Sequence, residues 1–337
     1  MVDYAVPATP TVSRPIALVG SVVAASVALV AWAHRAAIDT AISGVRDADR
    51  HWLSLAALAV VALWICGAIT QIGVLRETPP VGRLFAVQVA ASFMNNLLPA
   101  GVGGMAVNVR FLRKHGVGTK AGMAAVGLNS FAGLVAHLTL LLAVMVSLPG
   151  RFHMIWQTLS TQIHDAVHHV IPGRGHVALA FGGLVMFAAL VVRARRRRAA
   201  DQAGGAGAER RTLRNEIADL RVVMRSPGRA AALWLGALAT PVLHGLIIYL
   251  ALRSLDVHIS VVTAVACYVT VSGLAGLVPA PGGLGTFDVL LGGALVAVGV
   301  PGPGAVGAVV AYRLLTVWLP LVPAGCVFAV LMRRAII

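Results

Sequence analysis

The chain has 337 residues, 58% of them hydrophobic and only 12% charged, and its mean hydropathy is +0.86. Soluble domains carry about 25% charged residues, so this composition excludes an ordinary soluble enzyme and marks an integral membrane protein. The formal charge of +15 does not point to nucleic acid, because the basic residues gather at the ends of apolar runs and in one stretch from Arg193 to Arg229, where membrane topology and anionic lipid account for them.

Continuous apolar runs of roughly 20 residues, without in/out alternation, predict helices rather than a barrel, because that length of helix crosses about 30 Å of hydrocarbon. The predicted spans are 16–34, 52–75, 119–148, 176–194, 230–252 and 305–332. The first follows a lone Arg14 and reads as an uncleaved anchor; the ending Ala31-Trp32-Ala33 leaves a cleaved signal peptide as the alternative. Two further apolar regions, 84–111 and 259–299, are broken. The first contains Asn95-Asn96-Leu97-Leu98-Pro99-Ala100-Gly101-Val102-Gly103-Gly104 and the second Gly276-Leu277-Val278-Pro279-Ala280-Pro281-Gly282-Gly283-Leu284-Gly285. Aligning the prolines puts Ala100 on Ala280 and Gly103 on Gly283. Such breaks are costly in hydrocarbon unless the freed backbone lines a protein-enclosed or watery cavity, and a matched pair points to a transporter-like site.

The arginines of 193–229 make that connection a cytoplasmic basic loop. Threading from it places 150–175 outside as a polar loop, and Arg110, Arg113, Lys114 and Lys120 inside. Both ends of 84–111 are then inside, and both ends of 259–299 outside. Each broken region enters and returns, from opposite sides, as an inverted repeat does. The predicted fold is an all-α integral membrane protein of one transmembrane domain, 1–337: a multi-span helical bundle with two oppositely oriented, broken or re-entrant hairpins. Its first half is 1–192 and its second 230–337, in the cytoplasmic membrane, with the C-terminus cytoplasmic. Within the loop, Leu213, Ile217, Leu220 and Met224 share a helical face, which fits either an interfacial helix on anionic lipid or a solvated linker.

No Walker loop, dinucleotide fingerprint, His-Glu-x-x-His or Gly-x-Ser-x-Gly elbow is present, so neither an enzyme nor a cofactor is expected. Cys66, Cys267 and Cys326 each sit within an apolar run and read as packing residues. His153, His164, His168, His169 and His176 accompany only Asp165 and no cysteine, so an ordinary polar loop is expected there and no metal. Ionisable groups at bilayer depth are functional candidates by default. Asp288 and Arg313 are expected to form a salt bridge, or Arg313 to receive a lipid phosphate, and one arginine can do both if a ligand competes with Asp288. His137 and His244 are candidates for proton relay or head-group contact, against the blander reading of a neutral ring bonded to a neighbouring helix. Asn95, Asn96, Asn108 and Asn129 read as caps of broken helices, or as ligands of something polar.

The residues Asn96-x-x-Pro99-x-Gly101-x-Gly103-Gly104 and Pro279-x-Pro281-Gly282-Gly283-Leu284-Gly285, followed by Asp288, resemble the membrane domain of the lysylphosphatidylglycerol synthase and flippase family, which includes the multiple peptide resistance factor. The likeness runs from residue 16 to 332. The family often has an acidic residue and then an arginine after the first Gly-Gly pair; here Met105 and Asn108 stand there, with Arg110 nearby, and Asp288 replaces a usual glutamate. The soluble aminoacyl-transferase domain of full-length relatives does not follow Ile337. The resemblance therefore implies lipid translocation or handling without synthesis.

The expected partner is an anionic or phosphate-bearing membrane lipid, with no nucleic acid. Half-helix N-termini at Gly101–Gly104 and Gly282–Gly285 are expected to aim unpaired amides and positive dipole ends at its phosphate. The expected substrate-binding set is Asn96, Pro99, Gly101, Gly103, Gly104, Arg110, Pro279, Pro281, Gly282, Gly283, Gly285, Asp288 and Arg313, with His137 and His244 as further candidates. Alanine at the paired glycines is expected to do less harm than valine, and to affect activity more than stability. Two other classes stay open: a secondary transporter of a small solute, and a non-transporting scaffold that recruits a lipid or cell-wall enzyme through the basic loop.

Overall fold

The computed structural model describes residues 48–75, 79–98, 101–170, 226–276 and 285–337, with the side chains of Lys120 and 165–170 excepted. All regular structure among them is helical. In chain order the helices are α1 (Arg50–Val74), α2 (Val81–Leu97), α3 (Val102–Lys114), α4 (Thr119–Ser147), α5 (Pro149–Val170), α6 (Pro227–Ser254), α7 (Val261–Ala275), α8 (Thr286–Ala297), α9 (Gly302–Arg313) and α10 (Leu319–Arg333), with a π-helical segment, Leu314–Trp318, joining the last two. Four stretches are long and apolar enough to cross a membrane: Arg50–Val74, Ala121–Ser147, Pro227–Ser254 and Gly302–Arg333. They match the predicted spans 52–75, 119–148, 230–252 and 305–332. The predicted spans 16–34 and 176–194, and the basic loop as far as residue 225, lie outside the described residues.

Helices α1 and α6 make the most extensive contact among the described helices, and they run antiparallel. The Asp49 amide before α1 donates to the carbonyl of Ser254 at the end of α6 (2.9 Å). At the opposite end a side-chain carbon on Gly73 would lie 2.6 Å from the backbone nitrogen of Leu233. In a membrane no hydrophobic force drives helices together, so close approach over small residues supplies the dispersion contacts instead. Two apolar cores hang on this pair. One joins the first half of α1 to α5, α6, α7, α8 and α9; the other joins its second half to α2, α3, α4 and α10. Large side chains such as Leu58, Leu134, Val146, Leu235 and Val322 are exposed, as a lipid-facing surface requires.

Both broken regions form pairs of short helices. Helices α2 and α3, of 17 and 13 residues, are about 25 and 20 Å long. Cross-links between Asn95 and Gly104 and between Gln88 and Asn108 set them antiparallel. Helices α7 and α8, of 15 and 12 residues, are about 22 and 18 Å long and pack on each other.

One expectation is corrected. Residues 149–170 are not a loop but the helix α5, which begins directly after Leu148. Pro149 fits a first helical position, where its missing N–H costs nothing. Ile155 and Leu159, four residues apart on one face, are fully buried, and α5 packs chiefly against α8. That periodic apolar stripe forms the helix; its other faces are polar enough to read as a loop when the histidines alone are counted.

Candidate functional site

The second broken region ends at Gly285, whose φ of +86° is open to glycine and disfavoured for other residues. Helix α8 starts there, and three residues on, Asp288 reaches back so that its Oδ2 accepts the Gly285 N–H at 3.0 Å. The other carboxylate oxygen, Oδ1, accepts from Nε of Arg313. Arg313 is only 9% exposed and closes α9 immediately before the π segment; its guanidinium also lies over the ring of Phe287, 5.0 Å from the centroid. The structure thus brings Asp288 and Arg313 into contact, as the cost of a lone charge in hydrocarbon predicts.

Around the pair stands a cluster of aromatic rings. The Tyr312 hydroxyl and His244 Nδ1 are 2.9 Å apart, His244 stacks on Tyr268 at 4.7 Å, and Phe287 stacks on Tyr312 at 5.6 Å. Helices α6, α7, α8 and α9 are joined through these four rings. His137 Nε2 donates to the Val269 carbonyl at 2.9 Å, linking α4 to α7, which assigns the proton to that nitrogen. Both histidines are therefore bonded to a neighbouring helix.

At the first break, Gly101 has φ +69° and opens α3. The expected unpaired amides are not all unpaired. The Gly104 N–H donates to Oδ1 of Asn95 at 2.7 Å, Asn108 Nδ2 donates to the Gly104 carbonyl at 2.9 Å, and Gln88 Nε2 donates to Asn108 Oδ1 at 3.0 Å. A helix start in an apolar setting has orphan donors and no water to meet them, so the chain supplies an acceptor of its own at each break, Asn95 for Gly104 and Asp288 for Gly285. Gly103 is buried against α2: a side chain on it would overlap the Met94 carbonyl, and one on Gly104 would meet the Asn95 carboxamide at 2.7 Å. These two glycines permit close packing of α2 on α3.

Asn96 sits half-buried in the last turn of α2, and Arg110 is exposed on α3. Arg110 lines a groove of about 670 Å³ that follows α3 from Val102, past Met105 and Val109, to Arg113 and Lys114, with Met123 of α4 on its far wall. Gly285, Asp288 and Arg313 do not line this groove, so Arg110 and the ion pair occupy different places. Pro99, Pro279, Pro281, Gly282 and Gly283 lie outside the described residues.

Sequence reasoning passed over two glutamines. Gln71 of α1 is fully buried and accepts from Asn129 Nδ2 at 3.1 Å, while its own Nε2 has no partner among the described residues. Gln88 joins the chain of carboxamides at the first break. The available signal was the rule applied to the asparagines: an amide side chain inside an apolar run must be satisfied by another helix.

A family model described as Lysylphosphatidylglycerol synthase TM region matches residues 17–324. No curated protein matches the chain.

Proposed function

The chain belongs to the lysylphosphatidylglycerol synthase TM region family, and from that premise we propose that it moves a phosphate-bearing lipid across the cytoplasmic membrane without synthesising it. The observation that carries this reading is the groove along α3, whose apolar walls at Met105, Val109 and Met123 lead into three cations, Arg110, Arg113 and Lys114. A phospholipid has that shape and that distribution of charge. Its phosphate would meet Arg110 while a tail stays on the apolar wall. The break at 98–101 gives the head group a path that a continuous helix would close. The Gly104 amide becomes available to it once Asn95 turns away, since the two are already bonded.

In the second half Arg313 is the counterpart receptor, and Asp288 occupies its guanidinium until a phosphate competes. Rocking of two inverted halves would pass the lipid from one to the other, with the basic loop 193–229 on anionic lipid at the cytoplasmic face.

The test is lipid movement in liposomes containing the purified protein and fluorescent phospholipids, a lipid-linked sugar and an aminoacylated lipid, with quencher added outside. The protein should speed exchange of at least one of these above protein-free vesicles. R110Q should slow it about tenfold, the worth of one charge-assisted hydrogen bond. No exchange above background for any lipid, or uptake of a small solute instead, overturns the reading.

A further inference from the structure

A second groove, of about 780 Å³, opens between α2, α3 and α10, and its rim carries Arg83, Lys114 and Arg334. We infer that it binds an anionic phospholipid, in a groove that shares only Lys114 with the one that Arg110 lines. The three cations come from distant parts of the chain: the first turn of α2, the last residue of α3 and the residue after α10. All three are exposed, and none is ion-paired with a carboxylate among the described residues. Glu77, the nearest carboxylate in sequence to Arg83, lies outside those residues.

Helix dipoles account for part of this charge. Lys114 and Arg334 stand at helix C-termini, where a cation is favoured. Arg83 does not: it occupies the third position of α2, where the positive end of the dipole opposes it. An external anion reverses that sign, because it gains from Arg83 and from the same helix N-terminus. Gly82, beside it, leaves the approach clear; a side chain there would meet nothing within 4 Å.

The wall of the groove is apolar, built from Val327, Val330 and Leu331. A free phosphate has no use for that wall, whereas an acyl chain does, and the three cations sit at helix ends, where head groups lie. The exposed thiol of Cys326 also lines the groove and serves as a native reporter, since Cys267 is buried and Cys66 half-buried.

The experiment follows maleimide modification of Cys326, resolved by peptide mass, in the full chain in detergent micelles. Phosphatidylglycerol, phosphatidylcholine or water-soluble glycerol phosphate is added. Phosphatidylglycerol should slow modification and the other two should not. R83Q and R334Q should each weaken that protection about fivefold, the worth of one cation near an anionic head group. G82L, which keeps every charge but fills the approach, should abolish it. If an arginine variant fails to elute as the native species, G82L decides, because leucine favours the helix it joins. Equal protection by phosphatidylcholine, protection by glycerol phosphate alone, or undiminished protection in G82L overturns the proposal. So does a Cys326 already shielded without lipid, which would assign the groove to another segment of the chain. Lipid exchange through the Arg110 groove can fail while this binding holds, so the two readings fall separately.

Discussion

Asp288 makes two bonds at once, to the Gly285 amide that opens α8 and to the Arg313 guanidinium on α9. Substitutions should separate the two. Asn keeps an acceptor for the amide but loses the charge, so D288N should cost about 3 kcal/mol, the low end for stranding a buried partner, because the carboxylate is a quarter exposed. R313Q should cost as much, and the double variant should recover part of the loss, since no lone charge remains. Additive losses in thermal unfolding of the three variants would argue against energetic coupling. D288A should be worse than D288N by about 1 kcal/mol, the usual worth of a cap. A different residue-scale outcome is expected at Gly103. Read from sequence, alanine there is mild; packed against Met94, it is overpacked, and G103A should lower stability by about 1–3 kcal/mol. G104A should be gentler, because the Asn95 side chain it meets can rotate, at the expense of its bond to the Gly104 amide. A Tm series of the two variants measures the difference.

At the scale of elements, the continuous helices and the positions of the breaks were legible because hydrocarbon imposes a length and punishes unbonded backbone. Helix α5 was not legible as a helix, since its apolar stripe is too narrow to span and its histidines, after the Pro149-Gly150 pair, resemble a loop. Its fold depends on α8 being present to cover Ile155 and Leu159. L159A should therefore cost about 2–4 kcal/mol in thermal unfolding, while T161A, on the exposed face, should be neutral. The buried carboxamide oxygen of Gln162 has no partner among the described residues, so Q162L should be neutral or stabilising in the same assay. The π segment after Arg313 has a local cause. Pro320 lacks an N–H, and the Thr316 hydroxyl takes the Tyr312 carbonyl at 2.7 Å, so the helical ladder is loosened just beyond the charged pair.

For the whole molecule, the α1–α6 pair carries one core toward each of its ends, and each core contains one pair of short helices, α7 with α8 or α2 with α3. The division of the chain into two inverted halves, 1–192 and 230–337, is a proposal. The orientation of those halves is a proposal that rests on the arginines of 193–229. Cysteines placed at His164 and at Ala206 test it by labelling of intact cells with an impermeant reagent. The first should react and the second should not; the reverse pattern would invert the threading and with it the face on which the groove at Arg83, Lys114 and Arg334 opens.

The sequence by itself determined the class of the protein, four of its spans, the two breaks, and the pairing expected of Asp288 with Arg313. Each follows from a cost that hydrocarbon charges to any chain, wherever its neighbours lie: uncovered charge, unbonded backbone, and a helix too short to cross. Tertiary structure decided what depends on distant residues meeting. It brought Asn95 to the Gly104 amide, set Gly103 against Met94, stacked His244 of α6 on Tyr268 of α7, covered α5 with α8, and gathered cations from residues 83, 114 and 334 around one groove. Residue spacing along one helix carries no information about such meetings, because the partner of each contact is set by how the other helices pack.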